Sequence, residues 1–320
     1  MHLRPTTAPK NIVERVAERV VREMRNVSRR RIAKSIVRLP ASPAATVALP
    51  FSIHMLTCRR DLHMAICAAK AMNLVCEAAL PWIFHDDGTL GTGDLRLLAE
   101  QFPGCAVLES GEADARMNKL LSDQPNLKQL RDRSPLMKKL LDVPVFANRA
   151  RFIYIDSDLL FFRRPSELLE RASQKVGGNL FNRDLANAYC FNPELVLRTC
   201  EIEIPQRINS GCYICDTDYC NVANLERWLG SLVAAEPNFY IHYAEQTLTA
   251  MAAGSSAGGA HHLSEPYDVA YGKDVTSSIC KHYVGHIRHG FELEGLTYLL
   301  NECDFARRWS EFCSGEKRVV

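Results

Sequence analysis

A mostly parallel α/β sheet flanked by helices is the fold that this 320-residue chain predicts. Three observations predict it. Short β-prone apolar runs alternate along the chain with segments of helical periodicity. One of these runs, Phe152–Ile155, is apolar throughout, as a strand buried on both faces must be. It stops abruptly at Asp156-Ser157-Asp158, and a second apolar run, Leu159–Phe162, follows at once. Two carboxylates then stand at the carboxyl edge of the sheet, where open α/β folds bind their ligands.

Composition narrows the class. With 47% apolar residues the chain can bury one large core or two modest ones. It has no run of 18 apolar residues, and its first 30 residues are charged throughout, without the apolar centre of a secretory signal. The expected location is cytoplasmic. The twelve cysteines are scattered through apolar runs and read as buried thiols. Cys212 and Cys215 lie three apart in a predicted strand and so face opposite sides, which argues against zinc.

The net charge of +2 conceals a division. Residues 1–40 hold eleven Lys or Arg against three Glu, a charge of +8, and the remainder is mildly acidic. From Asn11 to Val37, apolar residues including Val13, Val16, Val20, Met24 and Val27 recur at helical spacing between arginines. Two readings stay open for this basic amphipathic helix. It docks on the body, the favoured reading, or residues 11–38 make a peripheral contact with an anionic membrane face. No interleaved aromatic surface supports nucleic-acid binding. Residues 39–50, rich in Pro and Ala, read as a linker.

The body begins with a strand at Phe51–Thr57, followed by a helix around Cys67–Leu74. A second strand runs from Leu80 to His85 and ends in His85-Asp86-Asp87-Gly88. Thr92 or Asp94 caps the next helix, which reaches Phe102, and Cys105–Glu109 is a third short strand. Ala115–Phe146 is helical in pattern. The strand leading to Asp156 is the fourth, and Ser166 opens a short helix after Pro165. Ile208–Asp216 is another strand, entered through Asn209-Ser210-Gly211, where the glycine permits close backbone approach. Asp216-Thr217-Asp218 repeats the acidic pattern, but there an acid or Thr is expected to cap the helix Asn221–Ala234. Glu245-Gln246 opens a helix, 254–259 is a loop, Ile279–Val284 is β-prone, and Phe291–Phe312 is helical.

Side chains two apart on an extended segment point the same way. Asp156 and Asp158 can therefore meet one hard divalent ion, which relieves their repulsion. The chain carries neither GxGxxG nor GxxxxGK[ST], so phosphates would have to be held by a metal.

Four landmarks, taken in order, resemble the GT-A glycosyltransferases, and within them the retaining glycogenin-like and lipopolysaccharide-galactosyltransferase-like family. Asp156-Ser157-Asp158 looks like the family's metal-binding DxD, and Asn209-Ser210-Gly211 is similar to its Asn-Ala-Gly segment. Glu245-Gln246 resembles its Asp-Gln pair, and His282-x-x-Gly285-x-x-Arg288 resembles its His-x-x-Gly-x-x-Lys. Arg288 for Lys, Glu245 for Asp, and His289-Gly290 for the usual Pro-Trp are departures.

The resemblance implies a GT-A catalytic domain over residues 45–290, preceded by a helical extension (1–44) and followed by a packed helical segment (291–320). It implies Mn2+ or Mg2+ on Asp156, Asp158 and His282, and a nucleotide-diphosphate sugar, uridine being the expected base. Thr57, Asp86, Lys139, Ser157, Gly211, Gly285 and Arg288 would line the donor, with Asn209, Glu245 and Gln246 at the reacting sugar. The acceptor would be a hydroxyl of a glycan, lipid-linked or protein partner. If configuration inverts, a carboxylate base is needed, Glu245 first and Asp184 second. The rival readings are a haloacid-dehalogenase-like phosphohydrolase, in which Asp156 is a nucleophile, and a sugar-nucleotide-binding protein without turnover.

Overall fold

A computed structural model describes residues 26–46, 48–174, 177–272 and 274–315. The expected helix over residues 11–25 lies outside the described residues. Residues 26–37 are helical (α1). The body then runs β1 (Phe51–Thr57), α2 (Leu62–Cys76), β2 (Trp82–Asp86), α3 (Thr92–Gln101), β3 (Ala106–Leu108), α4 (Ser110–Leu120), α5 (Pro125–Arg133), α6 (Met137–Phe146) and β4 (Arg151–Ile155). It continues through β5 (Leu159–Phe161), α7 (Ser166–Ser173), β6 (Asn179–Arg183), α8 (Pro193–Cys200), β7 (Ile208–Asp216), α9 (Val222–Ala235) and α10 (Ala244–Ser255). Short strands β8 (Ala260–His262), β9 (Tyr267–Asp268) and β10 (Cys280–His282) follow, then α11 (Thr297–Asn301) and α12 (Phe305–Ser314).

Seven strands form the main sheet in the order β3-β2-β1-β4-β7-β6-β8. β3, β2, β1 and β4 are mutually parallel, and β7 alone runs against them, pairing antiparallel with both β4 and β6. The expected mostly parallel α/β architecture is what forms. The sheet faces two cores, and alternation along single strands shows why. Ile153 and Ile155 join one hydrophobic cluster, with α2 and the carboxyl-terminal helices. Phe152 and Tyr154 join the other, with α5, α6, α9 and α10. All four are buried, as a central strand with helices on both faces requires. Cys212 and Cys215 divide in the same way, one into each cluster.

β2 and β3 are added on one side of β1 and β4 on the other, so the strand order reverses between the parallel neighbours β1 and β4, and their carboxyl ends open a crevice at this switch point of the sheet. A second sheet, β5-β10-β9, lies beside it. Its β10 pairs antiparallel with β5, opposing His282 to Leu159 and bringing the carboxyl-terminal motif to the acidic turn.

Several local expectations are corrected. The helical pattern over 115–146 is three helices, because Pro125 starts α5 and Pro135 interrupts before α6. Phe291–Leu296 is a π-helical turn rather than α-helix. Asn221 caps α9 by accepting from Asn224 N, while Asp216 is taken by Arg151 at 2.6 Å. The 39–50 segment is fastened, not free: Ser42 N and Ala45 N donate to Gln101 O and Pro103 O, and Trp309 Nε1 to Pro40 O. Its composition reads as a linker, but composition says nothing of attachment.

α1 docks through Ala33 and Ile36, both buried, whereas Val27 is 46% exposed. The Lys70 ammonium closes the end of this helix, donating to Ile36 O, Leu39 O and Pro40 O at 3.3, 2.9 and 3.0 Å. No helix among the described residues is long and apolar enough to cross a membrane.

Candidate active site

At the end of β4 the chain leaves the sheet in a turn, with Leu159 N donating to Asp156 O. Asp156 and Asp158 are therefore not on an extended segment, as the sequence suggests, yet their carboxylates converge all the same. His282 joins them from β10, and one ligand atom from each of the three residues lies within 4.8 Å of the others. His282 Nε2 is 3.0 Å from Asp158 Oδ1 and 3.6 Å from Asp156 Oδ2.

The ring's orientation is fixed from behind. His282 Nδ1 is 2.8 Å from Asn209 Oδ1, which also accepts from Gly211 N at 3.0 Å. Asn209 Nδ2 donates to Asp184 Oδ2, so the carboxamide oxygen is an acceptor and Nδ1 carries the proton. The Nε2 lone pair then faces two carboxylates, an arrangement that demands a cation or a proton between them. Burial pulls the imidazole's pKa down, but Asp158 and Asp156 outweigh it and hold it above the usual value. Gly211 is the floor: a Cβ there would stand 1.9 Å from His282 Cε1. These features fit a divalent ion, with two oxygens and one nitrogen as its protein donors.

Lys139 lies beneath the acids. Its Nζ donates to Asp156 Oδ2 at 3.1 Å and to Ser210 Oγ at 3.3 Å, and sits 3.5 Å from Glu245 Oε2. Burial opposes its charge, but Asp156 and Glu245 overcome that and raise its pKa. Glu245 is buried and its pKa is raised by that burial; it accepts from Ser210 Oγ and Thr249 Oγ1 at 2.8 and 3.0 Å. Both its oxygens are thus occupied. Gln246 Oε1 accepts from Ser210 N, and its Nε2 donates to Asp184 Oδ2 at 3.2 Å. Asn209, Gln246 and Asp184 form one hydrogen-bonded group.

Of the other expected residues, Thr57 and Ser157 line a cavity of about 340 Å³ that also holds Asp156, Asp158 and Arg288. Thr57 Oγ1 is buried with no hydrogen-bond partner among the described residues. Asp86 is committed to backbone, accepting from Gly88, Leu90 and Ser110 N–H groups, and its neighbour Asp87 faces the cavity instead. Gly285 has φ of +46°, in the left-handed region. Arg288 pairs with Asp61 at 2.7 Å and approaches Asp158 at 3.4 Å. A larger cleft of about 950 Å³ beside α8 and α9 is lined by Glu194, Glu201 and Glu203 and contains none of these residues. Its acidity is wrong for a diphosphate.

Two contributors escape the sequence reading. Tyr154 donates its hydroxyl to Asp156 Oδ1 at 2.8 Å, although it reads as a core residue. Its position two before Asp156 was the available signal, since strand neighbours at that spacing share a face. Asp61 holds Arg60 and Arg288 together. Nothing in its helix-start position pointed there.

No protein-family model and no curated protein matches the chain. Solved structures do. Mouse xyloside xylosyltransferase 1, in its apo form, is similar with a TM-score of 0.51 over 74% of this chain and 97% of that one, at 15% identity. The galactosyltransferase LgtC, in complex with donor and acceptor sugar analogs, is similar with a TM-score of 0.47 over 84% and 97%, at 11% identity. The first likeness shows the fold. The chain has the GT-A architecture.

Proposed function

We propose that the chain is a metal-dependent glycosyltransferase, moving a sugar from a nucleotide-diphosphate donor, a uridine one by preference, to a hydroxyl acceptor. One observation carries the reading: the Asp156–Asp158–His282 cluster, whose imidazole is turned by Asn209 so that Nε2 meets two carboxylates. The sequence order of the motifs and the named activity of the mouse transferase, which shares the fold, support it.

Mn2+ or Mg2+ held by these three side chains would supply neutralisation of the charge that grows on a leaving diphosphate. The residues do the rest. Arg288 offers a guanidinium fork to phosphate oxygens once drawn from Asp61. Lys139 donates to one oxygen of Asp156, and Tyr154 fixes that carboxylate's other oxygen. Thr57 and Ser157 face the nucleotide's cavity, where the Thr57 hydroxyl lacks a partner.

Glu245 acts in this reading as the counter-ion of Lys139 rather than as a base, because its oxygens are already engaged. Asp184, half-buried and bonded to Asn209 and Gln246, is the carboxylate beside the reacting sugar. No observation favours the phosphohydrolase, which requires an unencumbered nucleophile at Asp156.

Calorimetry with UDP, with and without Mn2+, tests the reading, followed by hydrolysis of a panel of UDP-sugars. Metal-dependent UDP binding and donor hydrolysis are expected. Equal UDP binding in excess chelator, or phosphate release without nucleotide selectivity, overturns it.

A further inference from the structure

Behind Arg60, Asp61 and Arg288 lies a second cavity, of about 530 Å³, which shares these three residues as a wall with the nucleotide cavity. Its opposite side is α1, which contributes Arg29 and Arg30, and His63 and Glu292 complete its charged lining. Four guanidiniums and an imidazole therefore face two carboxylates. Both carboxylates are already shared. Glu292 accepts from Arg29 Nε at 2.8 Å and contacts His63 at 3.2 Å, and Asp61 takes Arg60 at 3.0 Å and Arg288 at 2.7 Å. Arg30 has no partner among the described residues, so the described lining carries a net positive charge.

The lining also defines the ligand's chemistry. Guanidinium forks match phosphate oxygens with two parallel hydrogen bonds. Among the described lining residues only Met64 offers an apolar side chain, too little to hold an acyl chain or a sugar face. We infer that this cavity is a second anion site, separate from the nucleotide cavity, that takes a phosphate-bearing group. The group is carried either by a soluble phosphomonoester or by a lipid headgroup. The inference goes beyond the transferase reading, since UDP titration tests that reading and a phosphomonoester tests this one. It also gives α1 a role: its arginines form half of a site whose other half touches the donor cavity.

The experiment titrates the full chain, with UDP and Mn2+ saturating the first cavity, against glycerol 3-phosphate (glycerol as control) and against phosphatidylcholine vesicles with and without phosphatidic acid. Arg30→Glu is the test variant, because Arg30 is exposed and has no partner among the described residues. Lys34→Glu, an equal charge change at an exposed position of α1 outside the cavity, is the reference. Phosphate-dependent binding that survives saturating UDP, and that Arg30→Glu weakens at least tenfold while Lys34→Glu does not, is the expected result. Whether the soluble or the vesicle arm responds identifies the source. Binding no stronger than the controls, displaced by UDP, or weakened equally by both variants overturns the site.

Discussion

His282 gives its Nδ1 proton to the Asn209 carboxamide oxygen at 2.8 Å, and that bond decides what the other ring nitrogen can do. Nε2 is left pointed at Asp158 and Asp156, the orientation a metal ligand needs. Asn209→Ala should therefore weaken Mn2+ binding about 10- to 100-fold, the usual cost of losing the group that orients a ligating histidine. The folded state should change little. Unchanged Mn2+ affinity in the variant would count against His282 as a ligand.

Gly211 supports the same ring from below. A methyl group there cannot coexist with the imidazole, since its carbon would lie 1.9 Å from Cε1. Gly211→Ala should push His282 off its carboxylates and cost about 1–3 kcal/mol of stability, as overpacking does. Urea unfolding measures the cost, and Mn2+ titration reads the displaced ring. A variant that binds Mn2+ as the parent does would mean that the ring has another resting place.

Much of this was legible in the residues. The strand ending at Asp156 was plain because all of Phe152–Ile155 is apolar, and only a sheet covered on both sides tolerates that. Asn209, Gln246 and His282 could be located, but their mutual bonds could not, because β7, α10 and β10 meet only through the fold. Tyr154 shows the limit most clearly: one side chain fills the core with its ring, stacked 5.1 Å from Tyr213, and serves the site with its hydroxyl. Periodicity reports the first role and is blind to the second. The fastening of 39–50 was equally invisible, since its bonds are made by backbone groups that every sequence possesses.

Asp158 faces His282 and Arg288 at once. Replacing it by Asn keeps the shape and removes the charge that a divalent ion requires. Asp158→Asn should abolish the Mn2+ dependence of UDP binding and lower donor hydrolysis by at least about 100-fold, the scale on which removal of one electrostatic contributor to a transition state acts. A turnover assay across Mn2+ concentrations checks both. Hydrolysis restored to the parental rate by excess Mn2+ would assign Asp158 to affinity alone.

Lys70 joins α1 to the body by donating to three carbonyls while its ammonium lies 5.2 Å from the Trp309 ring centroid. Lys70→Met keeps the length of the side chain and strands those acceptors. The expected loss is about 2 kcal/mol, from partly buried carbonyls left without a donor. Hydrogen exchange should show it first in residues 26–40. Exchange that rises evenly over the whole chain instead would mean that α1 is not separately held.

Glu292 gives α1 a second fastening, and this one depends on pH. Burial alone would raise its pKa, but His63 and Arg29 prevail and hold it below the reference value of 4.5. A carboxylate whose folded pKa is depressed contributes stability that is fully present above the unfolded value and is lost as pH falls through the folded one. Glu292→Gln cannot titrate and keeps one acceptor. At neutral pH it should be less stable than the parent by about 1–3 kcal/mol, the worth of hydrogen bonds to a charged group. As pH falls below 4.5 the gap should narrow, because the unfolded chain's carboxyl takes up its proton first, and it should close once pH has passed the lower folded value. Urea unfolding of both proteins from neutral pH down to about one unit below the unfolded carboxyl pKa tests this. A gap that stays constant across that range would show that the side chain matters for its shape and not for its charge.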